Sequence, residues 1–461
     1  MLAWFARRGV LAAALVVSVG GLCALTAASA SATPQPQFPP QPSTGTLYVN
    51  NASTVSAGGS WWDGQWGAWQ NGQWHRRPGG SCATAAFTTI GAAVTAAAPG
   101  TTIVVCPGVY DEGVLINKQI VLDGLGGAVI NASSSPFGNG VQIVGPGGSG
   151  STVEGFKIEN AEFEGVLIGT APVAPATTDG TSVTSGAPVS DVTIANNTLV
   201  DNGTGFGTDA GQCFSTPEAP GDCGETIHLV SVTNSVIEGN HVADNVGGIL
   251  LTDEFGPTSG NTVRNNQALD NSDDCGITLA GHNPAAVSPA TGLPTGAAGV
   301  FDNLIANNVS DDNGVAGQGA GILIGGGAPF AGVYDNTIVG NVAVGNGLAG
   351  ITIHQHFIGD LNGNVLEGNI LGDDNVDGDY DFAAAQDTQT TGILVAAGLP
   401  PGPPAELPPP PSPPGIMGTI IRGNVIFGVK VGIWTLGVDP ATTTITADLF
   451  GLGVTTQVST N

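Results

Sequence analysis

Charge is scarce in this chain, and positive charge most of all. Only 10% of the 461 residues are charged, and Lys and Arg together number 9 against 37 acidic residues. That excludes nucleic acid as a partner, because holding phosphates needs clustered Lys or Arg. Binding an anionic polysaccharide would need a bridging cation. Methionine is nearly absent, with Met1 and Met417 the two residues present. No run after Ala28 is apolar enough to span a bilayer. What the chain has instead is glycine (73 residues), proline (31) and an apolar fraction of 41%. That is enough for a sizeable core and argues against global disorder.

The first residues read as a targeting segment. Arg7 and Arg8 precede an apolar run from Gly9 to Ala28, and the small residues up to Ala32 offer Ala-x-Ala cleavage sites. Residues 1–32 are therefore expected to be a signal peptide and the protein to be secreted, free of the membrane after cleavage. An uncleaved anchor is the competing reading. Removing residues 1–32, which hold two Arg and no acid, takes the formal charge from −28 to −30. Five Cys remain. The spacing suggests Cys82 with Cys106 and Cys213 with Cys223, in keeping with an oxidising compartment. Cys275 is left over and reads as a buried core thiol.

Residues 33–45 form a Pro-rich linker, and 46–461 carry the fold. Two insertions interrupt it, a Trp/Gly-rich segment at 57–80 and a Pro-rich loop at 399–415 that cannot join a sheet. Repetition dominates the rest. One element recurs as IANNTLVDN (194–202), IEGNHVADN (237–245), VRNNQALDN (263–271), IANNVSDDN (305–313) and IVGNVAVGN (338–346). LEGNILGDDN (366–375) and IRGNVIF (421–427) are looser copies, and from the 237–245 copy onward each is followed by a second element: GILL (248–251), GITL (276–279), GILI (321–324), GITI (350–353), GILV (392–395) and GIWT (432–435). Each tetrapeptide alternates apolar residues at period two, the mark of a short strand with one face inward. Such strands gain stability by stacking about 4.8 Å apart, each backbone pairing with the coils above and below. The first Asn of each copy (Asn197, Asn240, Asn266, Asn308, Asn341, Asn369 and Asn424) would then form one hydrogen-bonded column. Phe87, Ile90 and Val94 at helical spacing predict a short helix within 85–100 that caps the first coil. The expected fold is all-β: a single-stranded right-handed parallel β-helix, or solenoid, with a short N-terminal capping helix.

FTTIGAAVTAAAPGTTIVVCPGVYDEGVLINKQIVLDG (87–124) resembles the opening of bacterial right-handed β-helix proteins of the pectate-lyase-like superfamily. The Asn-rich coils resemble the carbohydrate-binding and sugar-hydrolase repeat domain, which is also found in the periplasmic maturation factor of nitrous oxide reductase. These resemblances imply the fold and a polysaccharide as ligand or substrate. They do not imply one activity, because the superfamily holds lyases, hydrolases, epimerases, tail spikes and adhesins.

Aligning the second elements on their Gly places Leu250, Thr252 and Glu254, then Thr278, Ala280 and His282, then Leu323, Gly325 and Gly327, then Thr352, His354 and His356 on the outward face of successive coils. His228 is outward one coil earlier. Titratable groups thus collect at one end of one strand column, with Asp253 in the turn beside Glu254. Gly325 to Gly327 would leave a dip in that surface. The candidate catalytic residues are Glu254, Asp253, His282, His354 and His356. In one reading Asp253 or Glu254 acts on a glycan as acid or base with a His assisting; glycosidases place two carboxyls roughly 5 to 9.5 Å apart. In another, His354 and His356 hold a divalent metal, Ca²⁺ or Zn²⁺, with Glu254 or His282 completing the site. In a third the column is an inert solvated face.

NSDDCGITLAGHN (271–283) is similar to polygalacturonases in Asp273, Asp274, Cys275, Gly281 and His282. It departs from them in Asn283 and in lacking Asn-Thr-Asp and Arg-Ile-Lys elements. Pectate lyases resemble one another in using Arg or Lys as base with Ca²⁺, and none of Lys157, Arg264, Arg422 or Lys430 falls in the polar column. Asp373, Asp374, Asp377 and Asp379 are either a Ca²⁺ site or a solvated acidic loop. The sequence therefore points to a secreted, monomeric β-helix that binds or acts on extracellular polysaccharide, hydrolysis being favoured over elimination. The alternative is a non-catalytic surface, adhesion or structural module. A copper-related role, suggested by the maturation factor, lacks a Met or Cys cluster.

Overall fold

A computed structural model describes residues 45–51, 67–70, 73–76, 81–169, 188–205, 225–315, 319–355, 357–374, 390–397 and 416–460. The expected signal peptide (residues 1–32), nearly all of the expected linker, Cys213 and Cys223, His356 and the Pro-rich residues 399–415 lie outside these residues. Within the 57–80 insertion, Gly67–Gln70 and Gln73–Arg76 pair as a two-stranded antiparallel ribbon.

The repeats form a solenoid of parallel strands. A first sheet of 12 strands runs from Thr46–Val49 to Thr444–Thr446. A second of 11 runs from Gly108–Asp111 to Leu449–Phe450, and a third of 11 from Val114–Ile116 to Thr456–Thr460. A narrow fourth sheet holds Val189–Ser190, Val232–Thr233, Thr258–Ser259, Val300–Phe301 and Val333–Tyr334. The Gly-Ile tetrapeptides all fall in the third sheet and in one register. Ile249, Ile277, Ile322, Ile351, Ile393 and Ile433 are successive partners and fully buried. Among the described residues no helix is long and apolar enough to cross a membrane.

Corner chemistry explains why the chain turns where it does. The nine-residue repeat is two strands and two corners. In one coil, Val236–Glu238 belongs to the first sheet, Gly239 (φ 65°) turns the chain, Asn240 follows, and His241–Ala243 joins the second sheet. Asp244 (φ 57°) and Asn245 then repeat the device. Positive φ favours Gly, Asn and Asp, which fill most of these corner positions. The residue after each corner faces inward and forms a ladder. The Asn240 amide donates to Ile194 O (2.9 Å) and to Asn266 Oδ1 (3.0 Å), while its own Oδ1 accepts from Asn197 N (3.0 Å). The expected column exists from Asn197 to Asn424 and ends on Asp448 Oδ1. Two further ladders accompany it. Asn202, Asn245, Asn271, Asn313 and Asn346 end on Asp374, and Ser235, Asn261, Asn303, Asn336 and Asn364 line the remaining corner. Asp374 is therefore a buried ladder member and not part of a solvated loop.

The capping helix is Ile90–Ala96, with Ile90, Ala93 and Val94 buried on the first coil. Phe87 precedes the helix and bridges to Val49. Glu112 accepts from Ile90 N (2.7 Å) and Gly91 N (2.9 Å) at the positive end. Lys118 donates to Thr95 O (3.1 Å) and Ala97 O (3.2 Å) at the negative end, so both ends of the helix dipole are complemented. Cys82 and Cys106 form a disulfide with Cα atoms 5.8 Å apart.

Candidate functional site

The third-sheet strands bring the expected residues together because their register is continuous. Ala280 faces Gly325, and Gly325 faces His354. Glu254 and His282, just past the ends of adjacent strands, meet with Oε1 2.9 Å from Nδ1. His282 and His354 lean from opposite sides over the coil between them. A Cβ added at Gly327 would lie 3.2 Å from His282 Cδ2, and one at Gly325 would lie 3.4 Å from His354 Nε2. The expected dip is therefore taken up by the two imidazoles.

Around the pair the outward face of this sheet is also buried rather than solvated. His228, Leu250 and Thr352 in one outward row, and Thr252 in the next, have no exposure. The His282 and Glu254 side chains are 4% and 10% exposed. Burial alone would raise the Glu254 carboxyl. The His282 hydrogen bond and the charges of His282 and His228 outweigh it and hold Glu254 below the usual glutamate value.

Asp253 sits in the adjoining turn. Its Oδ1 accepts from His282 N (2.7 Å) and Asn283 N (3.1 Å), and its Oδ2 accepts from Gly299 N (2.7 Å). Asp253 thus ties three main-chain amides from the next coil and its loop. Burial pushes its carboxyl up to about 7 despite those bonds.

The remaining candidates are dispersed. Asp274 lies at the other end of its strand, accepts from Cys275 N (2.6 Å), and is raised mainly by burial. Cys275 is a buried free thiol, pushed well up by the same cause. Among the described residues no group of three or more His, Cys, Asp and Glu is arranged to hold a metal ion. A separate cavity of about 470 Å³, lined by Ser133, Asn160, Glu162 and Thr204 among others, contains none of the expected site residues.

Three side chains extend the pair. Thr252 precedes Glu254 by two positions on the same face and lowers its pKa through a side-chain interaction. The Thr252 hydroxyl is 2.9 Å from His228 Nε2. Glu164 Oε1 lies 3.5 Å from His228 Nδ1. Glu164 had a signal in the sequence, as an acid directly before the GVLI strand, but only the register shows that it meets His228.

Residues 111–291 match the family model described as a right-handed β-helix region. The solenoid is a right-handed parallel β-helix. No curated protein matches the chain. Among solved structures it is similar to the Azotobacter vinelandii mannuronan C-5 epimerase AlgE4 A-module. That likeness has a TM-score of 0.46 at 14% identity and covers 80% of this chain and 93% of that one. It is similar also to pectate lyase Pel9A, with a TM-score of 0.40 at 16% identity over 88% and 78%. The alginate lyase from Paenibacillus sp. str. FPU-7 gives 0.39 at 11% over 78% and 96%.

Proposed function

We propose that this β-helix is exported and acts on extracellular polysaccharide at the third-sheet flank, with His282 as the proton carrier and Glu254 as its orienting carboxylate. The contact between Glu254 Oε1 and His282 Nδ1 carries the reading. An imidazole held by a carboxylate in this way is a side chain suited to carry a proton near neutral pH. Asp253, with its carboxyl on three amides, holds the turn that presents both. The strong negative charge favours a neutral glycan over a uronate chain. The resemblance of the coils to carbohydrate-binding and sugar-hydrolase repeats supplies the substrate class.

The low exposure of both side chains favours a second reading, a non-catalytic surface module in which the pair is structural. A panel of neutral and uronate polysaccharides, assayed for binding, new reducing ends and unsaturated products with and without EDTA, separates the two. Reducing ends without unsaturation, lost in Glu254→Gln and in His282→Ala, support hydrolysis at this pair. Unsaturated products would assign elimination instead. Binding without turnover selects the module, and turnover unchanged in both variants removes the site.

A further inference from the structure

Phe330 stands in the left-handed region of backbone space, with φ at 63°. That region suits Gly, Asn and Asp and is unfavourable for a bulky side chain. Among the described residues, sixteen other than glycine have positive φ, and thirteen of them are Asn or Asp. Phe330 is the one aromatic residue in that set, so turn chemistry does not account for it. Nor is it a corner of the ladder type. It lies in the connection between Ile322–Gly326 of the third sheet and Val333–Tyr334 of the fourth. Its main chain is held from both sides. The Phe330 carbonyl accepts from Val287 N (3.0 Å) in the coil before, and its N–H donates to Ile358 O in the coil after. Ala331 O accepts from Asp360 N (2.9 Å), and Gly332 bridges to Asp360. Residues 283–299, 328–332 and 357–361 thus stack as one hydrogen-bonded wall past the end of the third sheet, and the wall keeps a strained residue in place.

The wall begins at the Glu254–His282 pair. Asn283, next to His282, donates through its side chain to Glu254 O (3.1 Å). A Cβ at Gly327, three residues before Phe330, would lie 3.2 Å from His282 Cδ2. Phe330 packs against Ala286, Val287 and Ala298 and stays partly exposed. Covering those small side chains calls for an apolar residue but not for an aromatic one. No residue of 283–301 or 319–334 is charged, so neither stretch supplies the cation that a uronate would need. We propose that Phe330 is the stacking platform for a neutral sugar ring bound along this wall, its strained φ being tolerated for that contact. The C–H hydrogens on one face of a pyranose carry partial positive charge and suit the negative π face of an aromatic ring. Phe330 has this role only within the polysaccharide reading above, to which it adds the class of sugar that the wall takes.

Native affinity electrophoresis of the full chain tests this, in gels containing β-glucan, xylan or galactomannan, with polygalacturonate as the uronate probe. Phe330→Leu keeps an apolar cover over Ala286 and Ala298, and Phe330→Tyr keeps the ring. The expected result is retardation by at least one neutral polysaccharide, with affinity about tenfold weaker in Phe330→Leu and unchanged in Phe330→Tyr. Amide exchange at Val287, whose N–H is held by Phe330 O, reads the wall itself and should stay slow in both variants. Binding lost together with protection at Val287 assigns Phe330 a structural role and overturns the proposal. Equal binding by Phe330→Leu and wild type also overturns it, and leaves the polysaccharide reading standing. A wild-type chain retained by polygalacturonate alone, or by none of the four probes, overturns it as well. Binding weakened in Phe330→Leu, with turnover unchanged in Glu254→Gln and His282→Ala, keeps the platform and removes the catalytic pair instead.

Discussion

The His282 ring lies over Gly327, one coil on, in the space a side chain at 327 would need. A methyl there would approach Cδ2 to 3.2 Å and Nε2 to 3.5 Å. At Gly325 the nearest atom, His354 Nε2, is 3.4 Å away. The first contact is tight and the second ordinary, so the two glycines are not equivalent. Gly327→Ala should push the imidazole off Glu254 by a few tenths of an ångström, whereas Gly325→Ala should be tolerated. The His282 ring resonances in a histidine-labelled sample check this. A larger change in Gly325→Ala than in Gly327→Ala would contradict the arrangement.

The Asn ladders should be the most sensitive polar positions in the core. Asn308 donates to Val263 O (3.0 Å) and Asn341 Oδ1 (3.0 Å) and accepts from Asn266 N (2.9 Å). Asn308→Ala strands buried groups in the coils on both sides. At about 1 to 3 kcal/mol for each unsatisfied group, the expected loss is about 3 kcal/mol or more. Urea unfolding followed by circular dichroism measures it, and a loss under about 1 kcal/mol would mean that water or relaxation replaces the ladder.

Much of this architecture is legible in the residues themselves. Stacking the Gly-Ile tetrapeptides follows from period-two alternation and a constant offset from the preceding Asn. The Asn column follows from the cost of burying an unpaired amide. The capping helix follows from the spacing of Ile90 and Val94, and the Cys82–Cys106 bond was suggested by its spacing. What alternation does not reveal is that IEGNHVADN holds two corners and two ladders. The signal was there in the Gly-Asn and Asp-Asn steps, since a positive-φ residue precedes each ladder amide. The partners of Asp253 were beyond reach because they are main-chain amides of other coils, which no side-chain pattern encodes. Burial of the outward face was equally hidden, because alternation assigns a direction and not an environment.

The disulfide should protect the cap rather than the whole solenoid. Cys82 and Cys106 are 24 residues apart, and closing such a loop is worth about 3.5 kcal/mol in the chain-entropy model. Coils contact mainly their neighbours, so the effect should decay along the axis. In a Cys82→Ala/Cys106→Ala protein, amide exchange at Ile103 and Ile120 should accelerate by orders of magnitude while Ile393 stays protected. Uniform acceleration along the chain would show that the molecule unfolds as one unit.

Asp374 makes the stability of the second ladder depend on pH. Its Oδ1 accepts from Asn346 Nδ2 (2.9 Å) and Asn346 N (3.2 Å), whereas Oδ2 is buried with no hydrogen-bond partner among the described residues. Burial, reinforced by the charge of Asp311, holds this carboxyl well above its ordinary value of 3.8 against the hydrogen bonds from Asn346. A group whose pKa is raised by folding favours the folded state fully below its unfolded value and loses that contribution as pH rises through the folded value. The carboxyl therefore suits the ladder when protonated and opposes it when ionised. Asp374→Asn supplies the same acceptor without the charge, as Asn346 does one coil earlier. The difference in melting temperature between variant and wild type should be near zero at pH 4 and grow in favour of Asn as pH rises. A difference that stays constant, or shrinks with pH, would show that Asp374 is ionised in the fold and stabilised by contacts other than the ladder.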